Sequence, residues 1–241
     1  MTLLEQVGRI GPYFAVRTGS AGAGPPAGFR PLRELYDGGP DGPLAARIAE
    51  VARRMGTAEP RVAASTVHLG LAARLWSVAL GTAALGAAVP DLHPDRAHWA
   101  LPAEGPLDLW LPYPVALSDG PPADALHRAV ITENLAPLTA AVRAVTPVAE
   151  PLLHGNTASA LAGTLKVLAM TPALRRTRAL PAAEALVRDL LDRPPLRGTG
   201  TLSAPGEPFA FRRTSCCLYY RAPGSWVCGD CVFDRPPARR R

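Results

Sequence analysis

The segment that decides the fold spans residues 60–85 and reads PRVAASTVHLGLAARLWSVALGTAAL. Its larger apolar residues recur at helical spacing: Val67, Leu71, Leu75, Val78 and Leu85. The residues between them are mostly alanine and glycine, so the segment is apolar around its whole circumference, which is typical of a buried helix. Small side chains also let neighbouring helices approach closely. We therefore predict a long helix after Pro60 at the centre of the protein.

The most apolar part of this region, residues 75–89, does not predict a transmembrane segment. Ser77, Gly81 and Gly86 interrupt it, and Pro90 ends it. It is also shorter than the roughly 20 residues that a membrane-spanning helix needs. We interpret it as part of a buried helix.

Helical periodicity marks further segments on both sides. They are residues 44–55, 123–145 with a kink or break at Pro137, 156–168 with Asn156 as N-cap, and 181–191 with Pro181 in the first turn. Residues 7–16 and 107–111 are predicted to be extended, and 18–31 to be a loop rich in Gly, Ala and Pro. The predicted fold class is mainly α with a few short β-strands.

Composition shifts divide the chain into four parts. We predict a helical, substrate-facing body over residues 1–193, a Pro/Gly-rich linker over 194–207, a cysteine module over 208–234, and a disordered basic tail over 235–241.

The composition also limits the function. The net charge of +6 and the pI of about 9.6 favour anionic partners. No groove-reading helix or basic surface with aromatic residues is evident, so we expect no nucleic acid partner. No G-x-G-x-x-G or Walker-type fingerprint occurs, so the sequence does not support a bound flavin or nicotinamide. The first residues lack the pattern of a secretory signal, and we predict a cytoplasmic location.

All four cysteines are close together: Cys216, Cys217, Cys228 and Cys231. Four thiolates are the usual ligands of a [2Fe–2S] or [4Fe–4S] cluster. Gly229 gives the C-x-x-C half the backbone freedom to aim both thiolates at one metal. The adjacent pair is harder to explain, because neighbouring side chains on a strand point to opposite faces. Either the backbone there is contorted or these two cysteines bind different irons.

Two alternatives to an iron–sulfur cluster remain open from the residues alone. A structural zinc module has four cysteines too, but its usual spacing is two C-x₂₋₄-C halves, which contiguous cysteines do not match. A vicinal disulfide or thioredoxin-like redox pair is the other alternative, although no helix start surrounds the C-x-x-C.

The cysteine block resembles a known family. Residues 215–221, SCCLYYR, followed by Pro223-Gly224 and by residues 228–231, CGDC, are similar to the C-terminal signature of the FhuF family of ferric siderophore reductases. Residues 72–76, AARLW, and 155–159, GNTAS, also look like internal blocks of that family. The sequence departs from the family pattern at Ser225-Trp226 and Val232-Phe233, which leaves the cysteines unchanged.

The resemblance implies a cytoplasmic [2Fe–2S] protein that reduces Fe(III) in imported siderophores, commonly hydroxamates, by one electron. Its implied cluster ligands are the four cysteines, with no further catalytic residue. An external donor such as a ferredoxin or an NAD(P)H-dependent reductase would supply the electrons. The rival functions are an iron–sulfur sensor or electron carrier without its own substrate, and the structural zinc module.

Six residues are candidates for contact with the substrate or for tuning the cluster. Arginines near the cysteines could offset the negative charge of the cluster, and aromatic residues there could contact apolar parts of a siderophore. The candidates are Arg74, Asn156, Arg213, Tyr220, Arg221 and Trp226.

Overall fold

The protein is mainly helical, as predicted. The structure, a computed structural model, describes residues 2–20, 22–102, 105–112, 116–117, 120–207 and 209–237. Its α-helices are α1 (Leu3–Gly8), α2 (Leu32–Asp37), α3 (Pro43–Met55), α4 (Pro60–Gly86), α5 (Pro122–Leu126), α6 (Ala136–Val145), α7 (Glu150–Met170) and α8 (Ala179–Leu191). A π-helical segment, His127–Leu135, joins α5 to α6, and short 3-10 turns lie at Gly39–Asp41, Pro172–Leu174 and Tyr219–Arg221.

The strands are short and form three small sheets. They are β1 (Arg17–Thr18), β2 (Arg30–Pro31), β3 (Val89–Pro90), β4 (His98–Ala100), β5 (Asp108–Leu111), β6 (Ala116–Leu117), β7 (Gly200–Leu202) and β8 (Phe211–Arg213). The largest sheet has the order β1-β5-β4-β2, in which only the β1–β5 pair is parallel. The pairs β3–β6 and β7–β8 are antiparallel.

Helix α4 is the central helix of the fold, as predicted. It packs most extensively against α7 and also contacts α1, α3 and α8. By length and composition alone α4 could cross a membrane, but 67% of its most apolar window is buried inside the protein. Core helices of soluble proteins have the same property, so this is weak evidence for a membrane segment.

The prediction that residues 7–16 are extended is wrong at its start, because Val7 belongs to α1. The Thr2 hydroxyl accepts a hydrogen bond from the Glu5 amide, and the Glu5 carboxylate accepts one from the Thr2 amide. This capping box stabilises a helix of only 6 residues. Gly81 on α4 then allows the segment that contains Phe14 to pack closely against this helix, since a Cβ at position 81 would lie 2.9 Å from the Phe14 ring.

The prediction that Asn156 caps a helix is also wrong. Helix α7 begins six residues earlier, at Glu150, with Pro151 in its first turn. Asn156 is therefore in the helix interior and fully buried. The side-chain amide of Asn156 makes its hydrogen bonds with residues distant in sequence and not with the free backbone amides at a helix start. These hydrogen bonds explain how a residue that favours helix caps is tolerated in a helix interior.

The predicted linker, residues 194–207, is not irregular along its whole length. Strand β7 lies inside it and pairs with β8, with Gly200 opposite Arg213. Both strands contact α7, so this hairpin places the cysteine module on the helical body. Of the predicted disordered tail, residues 238–241 lie outside the described residues, and the proposed domain boundaries stay predictions.

Candidate iron–sulfur centre

The four cysteines lie on two loops that follow β8. Leu218, directly after the adjacent pair, has a positive φ of 68°, and a 3-10 turn follows it. The second loop is tied to the first because the Arg213 amide donates to the Asp230 carbonyl at 3.0 Å. The Cys231 amide also donates to the Cys228 carbonyl at 3.2 Å, which forms the tight turn expected of C-x-x-C.

The sulfur atoms of Cys217 and Cys228 are 3.4 Å apart. Two thiolates on one tetrahedral iron, with bonds of about 2.3 Å, sit roughly 3.7 Å apart, so this pair is suited to a shared iron. Cys216 is the neighbour of Cys217 in sequence but not its partner in this contact.

Several contacts polarise the cysteine sulfurs. The amides of Leu218 and Phe233 donate to the sulfurs of Cys216 and Cys231 at 3.3 and 3.4 Å. The contact between Cys217 and Cys228 lowers the pKa of Cys217 and raises that of Cys228, while burial raises the pKa of Cys216. None of the four cysteines forms a disulfide.

Arg213 is a buried cation beside the cysteines. Its side chain is 2% exposed, and its charge acts to lower the pKa of both Cys216 and Cys217. Its Nη2 donates to Asn156 Oδ1 at 2.7 Å and to the Leu152 carbonyl at 3.3 Å, whereas Nε and Nη1 have no partner among the described residues.

Those two unsatisfied donors provide a test of whether the site suits an anionic cluster. A buried guanidinium with free N–H groups is costly unless an anion or acceptor lies nearby. Four thiolates and two sulfides around two ferric irons form such an anion. The donor set, the sulfur spacing and the buried cation therefore all fit a [2Fe–2S] cluster bound by Cys216, Cys217, Cys228 and Cys231.

A buried polar network attaches the module to α4 and α7. The Ser65 hydroxyl donates to the Cys217 carbonyl at 2.7 Å, and Asn156 Nδ2 donates to both the carbonyl and the hydroxyl of Ser65 at 3.0 Å. Since Asn156 also accepts from Arg213, the network runs from α4 through α7 to the module. On the next turn of α7, the Ser159 hydroxyl donates to the Asp230 carboxylate.

Gly155 explains how closely the module approaches α7. A Cβ at this position would lie 2.2 Å from Ser215 Oγ and 3.0 Å from Arg213 Nη2. Residues 155–159, GNTAS, thus let the module approach α7 closely at Gly155 and form hydrogen bonds with it through Asn156 and Ser159. Sequence analysis missed Ser65, Ser159 and Asp230, because their partners are at least 71 residues away in the chain.

The structure separates the six candidate residues into two groups. Arg74, Asn156 and Arg213 are buried, and Arg74 donates to the backbone carbonyls of Tyr13, Ala15 and Leu107. Tyr220, Arg221 and Trp226 lie on the module, where Trp226 is 63% exposed and Tyr220 packs edge-on against Phe233. Direct contact of any of the six with a substrate stays a prediction.

Arg221 fastens the module to the start of α4. Its Nε donates to both carboxylate oxygens of Glu59 at 2.9 Å, and this hydrogen bond lowers the pKa of Glu59. Glu59 is the N-cap residue of α4. The module is thus held at α4 and α7 through separate polar contacts.

Comparison with known proteins identifies the class of the module. Residues 213–233 match the family model described as the FhuF 2Fe-2S C-terminal domain. No curated protein matches the chain. The protein therefore contains an FhuF-type C-terminal [2Fe–2S] domain, which confirms the resemblance and the predicted cofactor.

Proposed function

We propose that the protein is a ferric siderophore reductase that transfers one electron at a time to iron(III). The observation that supports this most is the half-buried four-cysteine site beside the Arg213 cation, within a domain of FhuF type. When bound, a [2Fe–2S] cluster supplies reversible one-electron transfer.

The residues of the chain support this chemistry by stabilising negative charge. The amides of Leu218 and Phe233 donate to two of the sulfurs, and the Arg213 charge acts to lower the pKa of Cys216 and Cys217. Such contacts favour the more negative, reduced state and so raise the reduction potential. Cys217 and Cys231 are buried while Cys216 and Cys228 are half-buried, so the site is near the surface.

The proposed substrate is iron(III) held by the oxygen donors of a siderophore, with hydroxamates the first class to test. One electron converts it to iron(II), which oxygen ligands bind far less tightly, so the metal can then leave the chelate. The electron comes in turn from an external donor such as a ferredoxin or an NAD(P)H-dependent reductase. We also propose a cytoplasmic location, which agrees with four cysteines that form no disulfide.

An electron carrier or sensor without its own substrate is the second candidate function. The module exposes large aromatic side chains at Tyr219, Trp226 and Phe233, which is typical of a protein-binding surface. A carrier would pass its electron to another protein and would react slowly with iron chelates.

Stopped-flow mixing of reduced protein with a ferric trihydroxamate distinguishes these functions. A reductase should show reoxidation of the cluster spectrum together with release of one iron(II) per electron, trapped by a ferrous chelator. The gallium(III) complex of the same siderophore is the control, because it accepts no electron under these conditions. A reduced protein that keeps its spectrum in excess ferric chelate would contradict the reductase function.

Removing a cluster ligand tests the site itself. We expect Cys228→Ser and Cys231→Ser each to abolish the visible absorption, the acid-labile sulfide and the electron transfer of anaerobically purified protein. Ser215→Ala, next to Cys216, is the matched control and should retain all three. Colourless wild-type protein that contains zinc would instead support the structural zinc module.

A further inference from the structure

A cavity of about 690 Å³ lies between α4 and α7, away from the cysteines themselves. The segment around Tyr13, residues of α3, and the chain around Leu107 close its sides. Its volume is in the usual range for small-molecule sites, and its lining is mostly apolar. Large apolar side chains at the cavity, Tyr13, Leu101 and Val167, are 40 to 46% exposed, so it opens to solvent.

Two helical glycines in the cavity wall are not explained by packing. They are Gly70 on α4 and Gly163 on α7, and a Cβ at either position would meet no atom within 4 Å. Glycine in a helix interior is less favourable than alanine, so a position without a steric need for glycine is unusual. Gly81 and Gly155 differ, because a Cβ there would contact Phe14 and Ser215. The open space above Gly70 and Gly163 is therefore available to a ligand that approaches both helices.

The cavity walls are held in place without a ligand. The buried Arg74 guanidinium donates to the carbonyls of Tyr13 and Leu107, both of which line the cavity. A third bond goes to the Ala15 carbonyl. Arg74 is thus a positioning residue that fixes two wall segments against α4, and the site is preformed.

One end of the cavity adjoins the cluster module. Ser159 lines the cavity, and its hydroxyl donates to Asp230, the residue before Cys231. On α4, Thr66 lines the cavity next to Ser65, which donates to the Cys217 carbonyl. A ligand at this end would lie beside the loops that bind the cluster.

The charge of the wall limits which ligands suit the cavity. Among its described lining residues Arg47 is the one with a formal charge. Hydroxyl groups come from Thr66, Ser77, Ser159 and Thr164. Arg47 would repel a cationic ligand, and the Asp230 carboxylate with the anionic cluster at the Ser159 end would repel an anionic one, so a neutral ligand suits the cavity best.

We propose that this cavity is the siderophore site, and that it selects neutral ferric chelates over charged ones. The apolar part of the chelate contacts α4 and α7 at Gly70 and Gly163, and the iron lies toward the Ser159 end. The proposal rests on the proposed reductase function but adds the place of binding and the charge of the substrate.

Filling the cavity tests the place of binding. Gly70→Leu and Gly163→Leu should each weaken binding of the gallium(III) complex of ferrichrome, a neutral trihydroxamate, at least tenfold by isothermal titration calorimetry. Gallium keeps the measurement independent of electron transfer. Ala185→Leu, at an exposed position of α8 outside the cavity, is the matched control and should bind within twofold of wild type.

Fold and cluster are checked by circular dichroism and the visible spectrum of each variant. If a leucine variant does not fold, the Gly70→Ala/Gly163→Ala double variant replaces it, and weaker binding is again expected. Unchanged binding in the folded variants would overturn the proposal.

Arg47 tests the charge selection. Wild type should bind gallium ferrichrome more tightly than gallium ferrioxamine B, whose free amine makes it cationic. Arg47→Gln should reduce this preference at least threefold, mainly by improving binding of the cation. An unchanged ratio of the two dissociation constants would overturn the role of Arg47.

The two proposals fail in different ways. If wild type reduces ferric chelates but binds their gallium forms independently of Gly70 and Gly163, the cavity is wrong and the reductase function stands. If wild type binds the gallium forms in a glycine-dependent manner but never reduces the ferric ones, the function fails and the cavity stands. If it binds no gallium trihydroxamate, the cavity proposal is overturned.

Discussion

At the scale of single residues, Arg213 is a buried cation whose charge acts on the cysteine thiols. It is buried, makes two hydrogen bonds through one nitrogen, and has two further donor atoms without a partner among the described residues. Arg212, its neighbour, instead extends to the surface and pairs with Asp234. The alternation of a short strand places one arginine inside and the next outside.

We expect Arg213→Gln to lower the reduction potential of the cluster, because a positive charge favours the more negative reduced state. One unit charge at about 8 Å in an effective dielectric of about 20 is worth about 2 kcal/mol, or roughly 90 mV for one electron. Redox titration followed by electron paramagnetic resonance measures the shift. Arg212→Gln is the control and should shift the potential far less. Equal potentials in the two variants would contradict the role of Arg213, and Arg213→Lys should recover part of the loss.

His68 gives the protein a predictable dependence on pH. It is fully buried on α4, where burial lowers its pKa to about 3, and one ring nitrogen contacts the Thr139 hydroxyl at 3.1 Å. The unfolded chain binds a proton at His68 below about pH 6.5 and the folded protein does not, so the free energy of unfolding falls as the pH falls below 6.5.

The expected slope from His68 is at most about 1.4 kcal/mol per pH unit between pH 6.5 and 5. His68→Gln should be less stable at pH 7, because it loses packing, but its stability should change less over this range. Urea unfolding at several pH values measures both. If the free energy of unfolding changes equally with pH in wild type and variant, His68 takes up a proton in the folded state and this prediction is wrong.

At the scale of secondary-structure elements, α7 is both the support of the module and a wall of the cavity. Two glycines on this helix have opposite surroundings. Gly155 is covered by Ser215 and Arg213, whereas Gly163, eight residues later, faces open space. The same substitution should therefore have opposite effects at the two sites.

We expect Gly155→Ala to destabilise the protein by about 1–3 kcal/mol, because the new Cβ forces Ser215 and Arg213 to move. Gly163→Ala should stabilise it by about 0.5–1 kcal/mol through helix propensity alone. Chemical denaturation monitored by circular dichroism measures both. Adding Ser215→Ala to Gly155→Ala should restore part of the loss, and no restoration would mean that the Ser215 contact is not the cause.

At the scale of the whole molecule, the module and the helical body are joined through buried polar groups. Ser65, Asn156 and Arg213 connect α4, α7 and the cysteine loops, while Arg221 and Glu59 form a second, half-exposed attachment. Buried hydrogen bonds that are broken without replacement are costly, so separation of the two parts is unfavourable. The body and module should unfold together.

Removal of the cluster should lower the melting temperature of the whole protein by several degrees. The cluster binds only the folded state, and without it the Arg213 charge is buried with unsatisfied donors. For a chain of this size about 1 kcal/mol corresponds to roughly 2–4 °C. Anaerobic calorimetry of holo and chelator-treated protein measures the difference. Two separate transitions, or equal melting temperatures, would contradict this linkage.

The sequence by itself determined the elements that depend on local patterns. Apolar residues at helical spacing predicted α3, α4 and α8, because side chains of a helix return to the same face every 3.6 residues. Helices α3 and α8 bury one such face, whereas α4 is apolar around its circumference. The crowding of Cys216, Cys217, Cys228 and Cys231 into 16 consecutive residues predicted the cluster, because four thiolates are its usual ligands.

Only the tertiary structure decided which distant residues meet. The side chain of Ser215 leaves no room for a Cβ at Gly155, and Arg74 donates hydrogen bonds to the carbonyls of Tyr13 and Leu107. Gly70 and Gly163 lie on two helices and line the same cavity. Asn156 was misassigned as a cap for the same reason, since its side chain donates to Ser65 and accepts from Arg213. Such contacts leave no periodic signal, because they depend on how α4, α7 and the module pack and not on the spacing of residues along the chain.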